Sequence, residues 1–194
     1  TRLSETRVGV MTTVREFRNL HTHGFARVAA CTVPVAMADP ATNAARIAEQ
    51  VQALHDDGVD VALFPELSLS GYAIDDLLLQ DVLLDAVDAA VVDLAKATAK
   101  LRPVVVVGAP IRSGARLYNC AVVLNRGEVL GVVPKVNLPN YREFYERRWF
   151  TPGAGVTGKT LALAGQSAPF GTDVLFRGEG VTPFTVGVEI CEDV

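Results

Sequence analysis

The chain has 194 residues, 49% of them hydrophobic and 21% charged, with 16 Gly and 10 Pro. That balance fits one packed domain, or part of a larger one, and excludes the disordered and low-complexity classes, because this much apolar surface offsets the entropy of ordering the chain. Eighteen Lys and Arg against 22 Asp and Glu leave a formal charge of −4, which argues against a nucleic-acid partner met through a broad basic face.

Residues 1–24 show no sustained period and are read as a tail, with a short helix around Val14 to Leu20. They carry Arg2, Glu5, Arg7, Arg15, Glu16 and Arg18 and no apolar stretch, so no secretory signal is read. No later run approaches the roughly 20 apolar residues that span a bilayer. A cytoplasmic location without membrane contact is the expectation. The first methionine is Met11, which reads residues 1–10 as an upstream extension.

From residue 25 the chain reads as one α/β unit. Phe25 to Val33 is a strand candidate. Asp39-Pro40 supplies an N-cap and a proline at the first helical position, Ala44, Ile47, Ala48, Val51 and Leu54 recur at helical spacing, and Gly58 sits where a C-cap belongs. Val59 to Phe64 is a buried strand, which completes a β-α-β unit and implies a parallel sheet. After the loop Pro65 to Tyr72, one long helix is expected over about Asp75 to Leu101. Its acids Asp81, Asp85 and Asp88 fall on one face, read as solvated. Val104 to Gly108 is a further strand, and Tyr118 to Leu124 and Glu128 to Val133 flank Asn125-Arg126-Gly127 as a hairpin. A polar stretch, residues 134–160, precedes short strands near Leu161–Leu163, Val174–Phe176 and Phe184–Ile190. The chain stops at Val194, directly after the last of these, which reads as a cut end.

Gly153 to Thr160 matches G-x-x-x-x-G-K-[ST], the pattern of a phosphate-binding loop with Lys159 on the phosphates and Thr160 on magnesium. That mechanism needs a buried strand before the loop and a helix N-terminus after it. Glu146 to Pro152 is no buried strand, and Gly165 and Pro169 break the following segment. A glycine-rich surface turn is the expectation.

Three reactive side chains fall just past strand ends. Glu66 follows Val59 to Phe64, Lys135 follows Glu128 to Val133, and Cys191 follows Phe184 to Ile190. Strand ends line the ligand crevice of an open α/β sheet, so the three could meet in one pocket. There a carboxylate could take a thiol proton, an ammonium could favour the thiolate and stabilise a tetrahedral oxyanion, and the thiolate could cleave a C–N bond through a thioester. Each residue also has a plain reading: core filling for the cysteine, surface charge for the other two. Spacing does not decide between them. Cys31, Cys120 and Cys191 are odd in number and far apart, which fits neither a disulfide framework nor a zinc site.

The segments around these residues carry a resemblance. Phe64-Pro-Glu-Leu-Ser-Leu-Ser-Gly-Tyr72 with Ile74-Asp-Asp-Leu77, then Pro134-Lys-Val-Asn-Leu-Pro-Asn-Tyr141 with Glu143-Phe-Tyr-Glu-Arg-Arg148, then Gly187-Val-Glu-Ile-Cys-Glu-Asp193 resemble, in order, the glutamate, lysine and cysteine blocks of the nitrilase (carbon–nitrogen hydrolase) superfamily. Within it, Ser70-Gly-Tyr72, Leu138-Pro-Asn-Tyr141 and Ile190-Cys-Glu-Asp193 are similar to the glutaminase domains that serve NAD+ synthesis. The resemblance runs from about Phe25 to Val194.

It implies a four-layer α-β-β-α sandwich, incomplete at its C-terminal side, with residues 25–194 as the hydrolase domain. It implies Glu66 as general base, Lys135 as stabilising cation and Cys191 as nucleophile, with Glu146 in support. Tyr141, and beside the nucleophile Glu192, would hold the substrate. The implied substrate is L-glutamine, hydrolysed without a metal or other cofactor. Ammonia would pass to a synthetase domain of the same polypeptide that uses ATP and Mg, in a homo-oligomer at full length. Turnover is expected of that full-length protein rather than of these 194 residues alone. A free-standing amidase acting on another amide is the alternative.

Overall fold

In a computed structural model, residues 19–178 and 183–194 are described. The helix expected around Val14 to Leu20 lies outside the described residues except at its end, where Asn19 caps a 3-10 turn, Leu20–His23. The first β-α-β unit forms as the sequence dictates. Strand β1 (Val28–Ala30) leads to helix α1 (Pro40–Asp56), and Asp39 accepts a hydrogen bond from the Thr42 N–H at 3.1 Å. Gly58 closes α1 with a φ of 71°, a left-handed turn that favours glycine, and β2 (Val61–Leu63) follows.

The expected long helix divides. Asp75–Leu79 is a 3-10 turn, Gln80 is extended with ψ 123°, and helix α2 covers Asp81–Thr98. The periodicity of the segment concealed this break, because Leu78 on the turn and Leu83 and Leu84 on the helix feed the same apolar cluster with Leu117, Leu138 and Phe150. The acidic face of α2 is partnered rather than merely solvated. Arg112 lies 3.0 Å from Asp81 and 3.6 Å from Asp88, and it also pairs with Asp85. Pairs this exposed contribute little to stability.

Strands β3 (Val104–Ser113), β4 (Arg116–Asn125) and β5 (Glu128–Pro134) form a meander. The β4–β5 turn places Arg126 and Gly127 at φ 50° and 86°, the geometry that suits a two-residue hairpin. The β3–β4 hairpin, with Gly114 at its tip, extends β3 beyond the expected Gly108. Strands β6 (Lys159–Leu163) and β7 (Gln166–Phe170) complete a seven-stranded sheet in the order β1-β2-β3-β4-β5-β7-β6. The sheet is mixed: β1, β2 and β3 are parallel, β4 runs antiparallel to both neighbours, and β5 pairs with β7 in parallel. Strands β8 (Phe176–Gly178) and β9 (Phe184–Val186) form a separate ribbon.

Alternation along the strands sorts the core into layers. Val105, Val107, Ala109 and Ile111 of β3, and Tyr118, Cys120, Val122 and Leu124 of β4, join Ile47 and Val51 of α1 and Val87, Val91 and Leu94 of α2. On the other face Val106, Ala121, Val123 and Val133 meet Phe176 of the ribbon and Ile190. Of an α-β-β-α order, these residues build a helix layer, one large sheet and a two-stranded piece of a second. Because β2, β3 and β5 run in one direction, the residues that follow β2 and β5 emerge at the same end of the sheet.

Candidate active site

The segment after β2 is held hard against β3. Gly108 makes this approach possible. Its N–H donates to Ser68 Oγ at 3.1 Å and its carbonyl accepts from the Leu69 N–H at 3.0 Å. A Cβ at Gly108 would overlap Leu67 N and lie 2.7 Å from both the Glu66 carbonyl carbon and the Pro65 oxygen. Leu67, buried, takes φ 52° to make the turn. Glu66 is thereby pinned at the end of β2 with 19% of its side chain exposed.

Lys135 follows β5 directly. Its N–H donates to the Asn119 carbonyl at 2.8 Å and its carbonyl accepts from the Gly153 N–H at 2.7 Å. Its side chain is 0% exposed, and Nζ donates to Glu66 Oε1 at 2.7 Å and to Glu146 Oε1 at 2.9 Å. Glu146, 1% exposed, begins a 3-10 turn, Glu146–Arg148. Burial alone would push the Lys135 ammonium down. The hydrogen bonds and charges of the two carboxylates outweigh it and hold the group above the ordinary lysine range. Lys135 is therefore a fixed cation.

Cys191 opens the 3-10 turn Cys191–Asp193, with φ 54°. Strand β9 ends at Val186 rather than at Ile190, so the cysteine follows an extended stretch instead of ending a strand; the apolar run Phe184 to Ile190 continues because Val188 and Ile190 still pack under the sheet. Glu66 and Cys191 line one cavity of about 290 Å3, with Cys31, Gly108 and Ala121 in its wall. The Cys191 thiol is raised above its ordinary range, first by burial. The charge of Lys135 pulls it down and that of Glu66 pushes it up. Lys135 is already shared between two carboxylates. A base that takes the proton as the thiol attacks would overcome the raised value, and Glu66 faces the same cavity.

This charge balance makes a prediction. Glu66→Gln removes a charge that opposes thiolate formation, so Cys191 should alkylate faster with iodoacetamide at pH 7 while hydrolytic turnover falls by about 100-fold or more. Mass-spectrometric alkylation rates beside ammonia release check it; slower alkylation would show that Glu66 does not act on the thiol through its charge.

Tyr141 and Glu192 come together in a second recess with Asn137 and Arg147. The Tyr141 hydroxyl donates to Glu192 Oε1. Three contributors went unassigned in the sequence. Asn119 Nδ2 donates to Glu66 Oε1 at 2.6 Å. Tyr72 OH donates to Glu146 Oε1 at 2.6 Å, and its own hydroxyl proton is held far more tightly than usual, first by burial and then by that bond. Asp193 accepts from the N–H groups of Val136 and Asn137 at 3.1 and 2.7 Å, tying the cysteine turn to the lysine segment. Asn119 lies inside a strand that reads as core, so its only signal was a polar residue between apolar neighbours. Tyr72 and Asp193 stood in the quoted blocks without a role.

The phosphate-loop pattern dissolves here. Gly153 packs against the lysine segment, where a Cβ would lie 2.7 Å from the Pro134 oxygen and 2.9 Å from that of Lys135. Lys159 and Thr160 lie on β6, paired with Phe170 and Pro169. A strand, not a helix N-terminus, follows the glycines. Among the described residues no helix is long and apolar enough to cross a membrane.

Residues 27–194 match the carbon–nitrogen hydrolase family. The chain is 55% identical over 178 residues to the glutamine-dependent NAD(+) synthetase of Mycobacterium tuberculosis, which covers 92% of this chain and 26% of that protein. It is 37% identical over 152 residues to the enzyme of that name from Thermotoga maritima, covering 78% of the chain and 23% of the relative. The chain thus spans about a quarter of these relatives' length. Its fold superposes on a glutamine-dependent NAD(+) synthetase from Cytophaga hutchinsonii with a TM-score of 0.78 at 28% identity, over 87% of this chain and 28% of the other. An amidase from Nesterenkonia sp. superposes with a TM-score of 0.60 at 25% identity, over 73% and 53%. A match that runs through the whole α/β unit, with the glutamate, lysine and cysteine segments meeting at one end of its sheet, places the chain in the carbon–nitrogen hydrolase family.

Proposed function

We propose that this chain is the glutaminase part of a glutamine-dependent NAD+ synthetase. The observation that carries the reading is the buried Lys135 held between Glu66 and Glu146, with Glu66 lining one cavity with Cys191; the similarity to named synthetases over 92% of the chain supports it. Glu66 takes the Cys191 thiol proton as sulfur bonds to the side-chain amide carbon of glutamine. Lys135 stabilises the oxyanion, and the proton passes from Glu66 to the nitrogen as the C–N bond breaks and ammonia leaves. Water, deprotonated by Glu66, then attacks the thioester; the S–C bond breaks, glutamate departs and the thiol regains its proton. Tyr141 and Glu192 hold the amino-acid end of glutamine. The step draws on no cofactor. ATP and Mg belong to a synthetase domain of the same polypeptide, which consumes the ammonia in the cytoplasm, within a homo-oligomer.

The experiment is ammonia release by the protein at its native length. L-glutamine should be hydrolysed well ahead of asparagine and acetamide, and a glutamine-shaped diazoketone should label Cys191 but spare Cys31 and the buried Cys120. Equal use of simple amides would favour a general amidase, in keeping with the Nesterenkonia neighbour. Equal labelling of all three cysteines would overturn the glutamine site.

A further inference from the structure

We infer that Asn119 is a positioning residue for the general base, fixing which oxygen of Glu66 works on the cysteine. Asn119 is 1% exposed on β4, between Tyr118 and Cys120, whose side chains enter the helix-side core; its own points to the other face. Its Nδ2 donates to Glu66 Oε1 at 2.6 Å, and Lys135 Nζ donates to the same oxygen at 2.7 Å. Two donors on one atom saturate it and lower its basicity. Oε2 receives no such pair and is the oxygen left for the thiol proton. The carboxylate cannot rotate about its last torsion without giving up both bonds.

The same residue also sets Lys135, because its carbonyl accepts the Lys135 N–H at 2.8 Å. One residue of β4 thus registers base and cation together. Asn119 Oδ1 is buried without a partner among the described residues. A core asparagine kept for stability alone would have both ends of its amide satisfied. Turning the amide would set its oxygen against the Glu66 carboxylate, so the orphan is the cost of aiming the donor at the base.

This inference rests on the glutaminase reading, and its test is arranged to fail separately. Asn119→Leu keeps the approximate shape and removes the donor; Asn119→Asp keeps the shape and presents a second carboxylate to Glu66. In the protein at its native length, competent sites are counted by stoichiometric labelling of Cys191 with the glutamine-shaped diazoketone. Turnover is then expressed per labelled site. Both variants should lose about 10- to 100-fold in kcat per site with KM for glutamine changed little, as expected for a reacting group mis-set by a fraction of an ångström. Asn119→Asp should lose more. A purely structural asparagine would instead lower the number of labelled sites and leave kcat per site unchanged, and that result overturns the inference. If the unmodified protein releases no ammonia from glutamine, the functional reading fails on its own. The comparison then moves to p-nitrophenolate release from p-nitrophenyl acetate, with sites counted by iodoacetamide. That reaction needs the thiol proton removed but no glutamine pocket, and equal rates per site again overturn the inference.

Discussion

Lys135→Met is expected to abolish turnover and to destabilise the fold by about 3–5 kcal/mol, because it leaves buried carboxylates without their cation. Lys135 is fully enclosed and donates to both Glu66 and Glu146. Methionine fills similar volume, so the loss comes from charge rather than from a cavity. Glu146 suffers most: it is 1% exposed, and Oε2 already lacks a partner among the described residues. Urea denaturation followed by circular dichroism reads the stability. Lys135→Met combined with Glu146→Gln should recover much of it and none of the activity, since the doubly changed site no longer buries an unpaired carboxylate at Glu146. Full stability in the single variant would overturn the loss of the buried ion pairs as a cost to the fold. The pH sense follows from the raised lysine value. The cation's contribution is fully present below the ordinary range near 10.5 and is lost as pH climbs through the higher folded value.

Gly108→Ala should be nearly as damaging, although it adds one methyl group. That methyl would overlap Leu67 N and press on the Glu66 carbonyl carbon and the Pro65 oxygen at 2.7 Å. All three are backbone atoms, which cannot swing aside as a flexible side chain can. Either β3 shifts, breaking its register with β4, or the loop bearing Glu66 lifts away. The expected cost is about 3 kcal/mol, the upper part of the overpacking range, with roughly a 100-fold loss of turnover as Glu66 leaves Lys135. Thermal unfolding and ammonia release measure the two effects. Gly114→Ala is the control: it sits on the exposed β3–β4 turn with nothing within 4 Å of an added Cβ, and although its φ of 59° costs an alanine some stability, it should keep full activity.

Much of the fold was legible because local rules and tertiary demands coincide. Asp39-Pro40 starts a helix wherever it is placed before an apolar period, and Arg126-Gly127 makes a two-residue turn between alternating strands. The misreadings lie where a tertiary contact decided. Apolar period alone could not separate the turn Asp75–Leu79 from α2, since both serve one cluster. Strand β7 carries Pro169, which reads as a breaker; it is held by a local hairpin with β6 and by a single long-range pairing, Val132 with Phe170, that seats it beside β5.

The site divides in the same way. By itself, the sequence placed three reactive side chains just past strand ends and left their chemistry open, and the blocks around them pointed to the family. The tertiary structure decided how they are arranged. It shared Lys135 between two carboxylates, raised the thiol rather than lowering it, and drew Asn119, Tyr72 and Asp193 into the hydrogen-bond network. Those outcomes depend on burial and on distances between residues as far apart as Glu66 and Lys135, which no local pattern encodes, because charge and hydrogen bonding act through space while the sequence records only order.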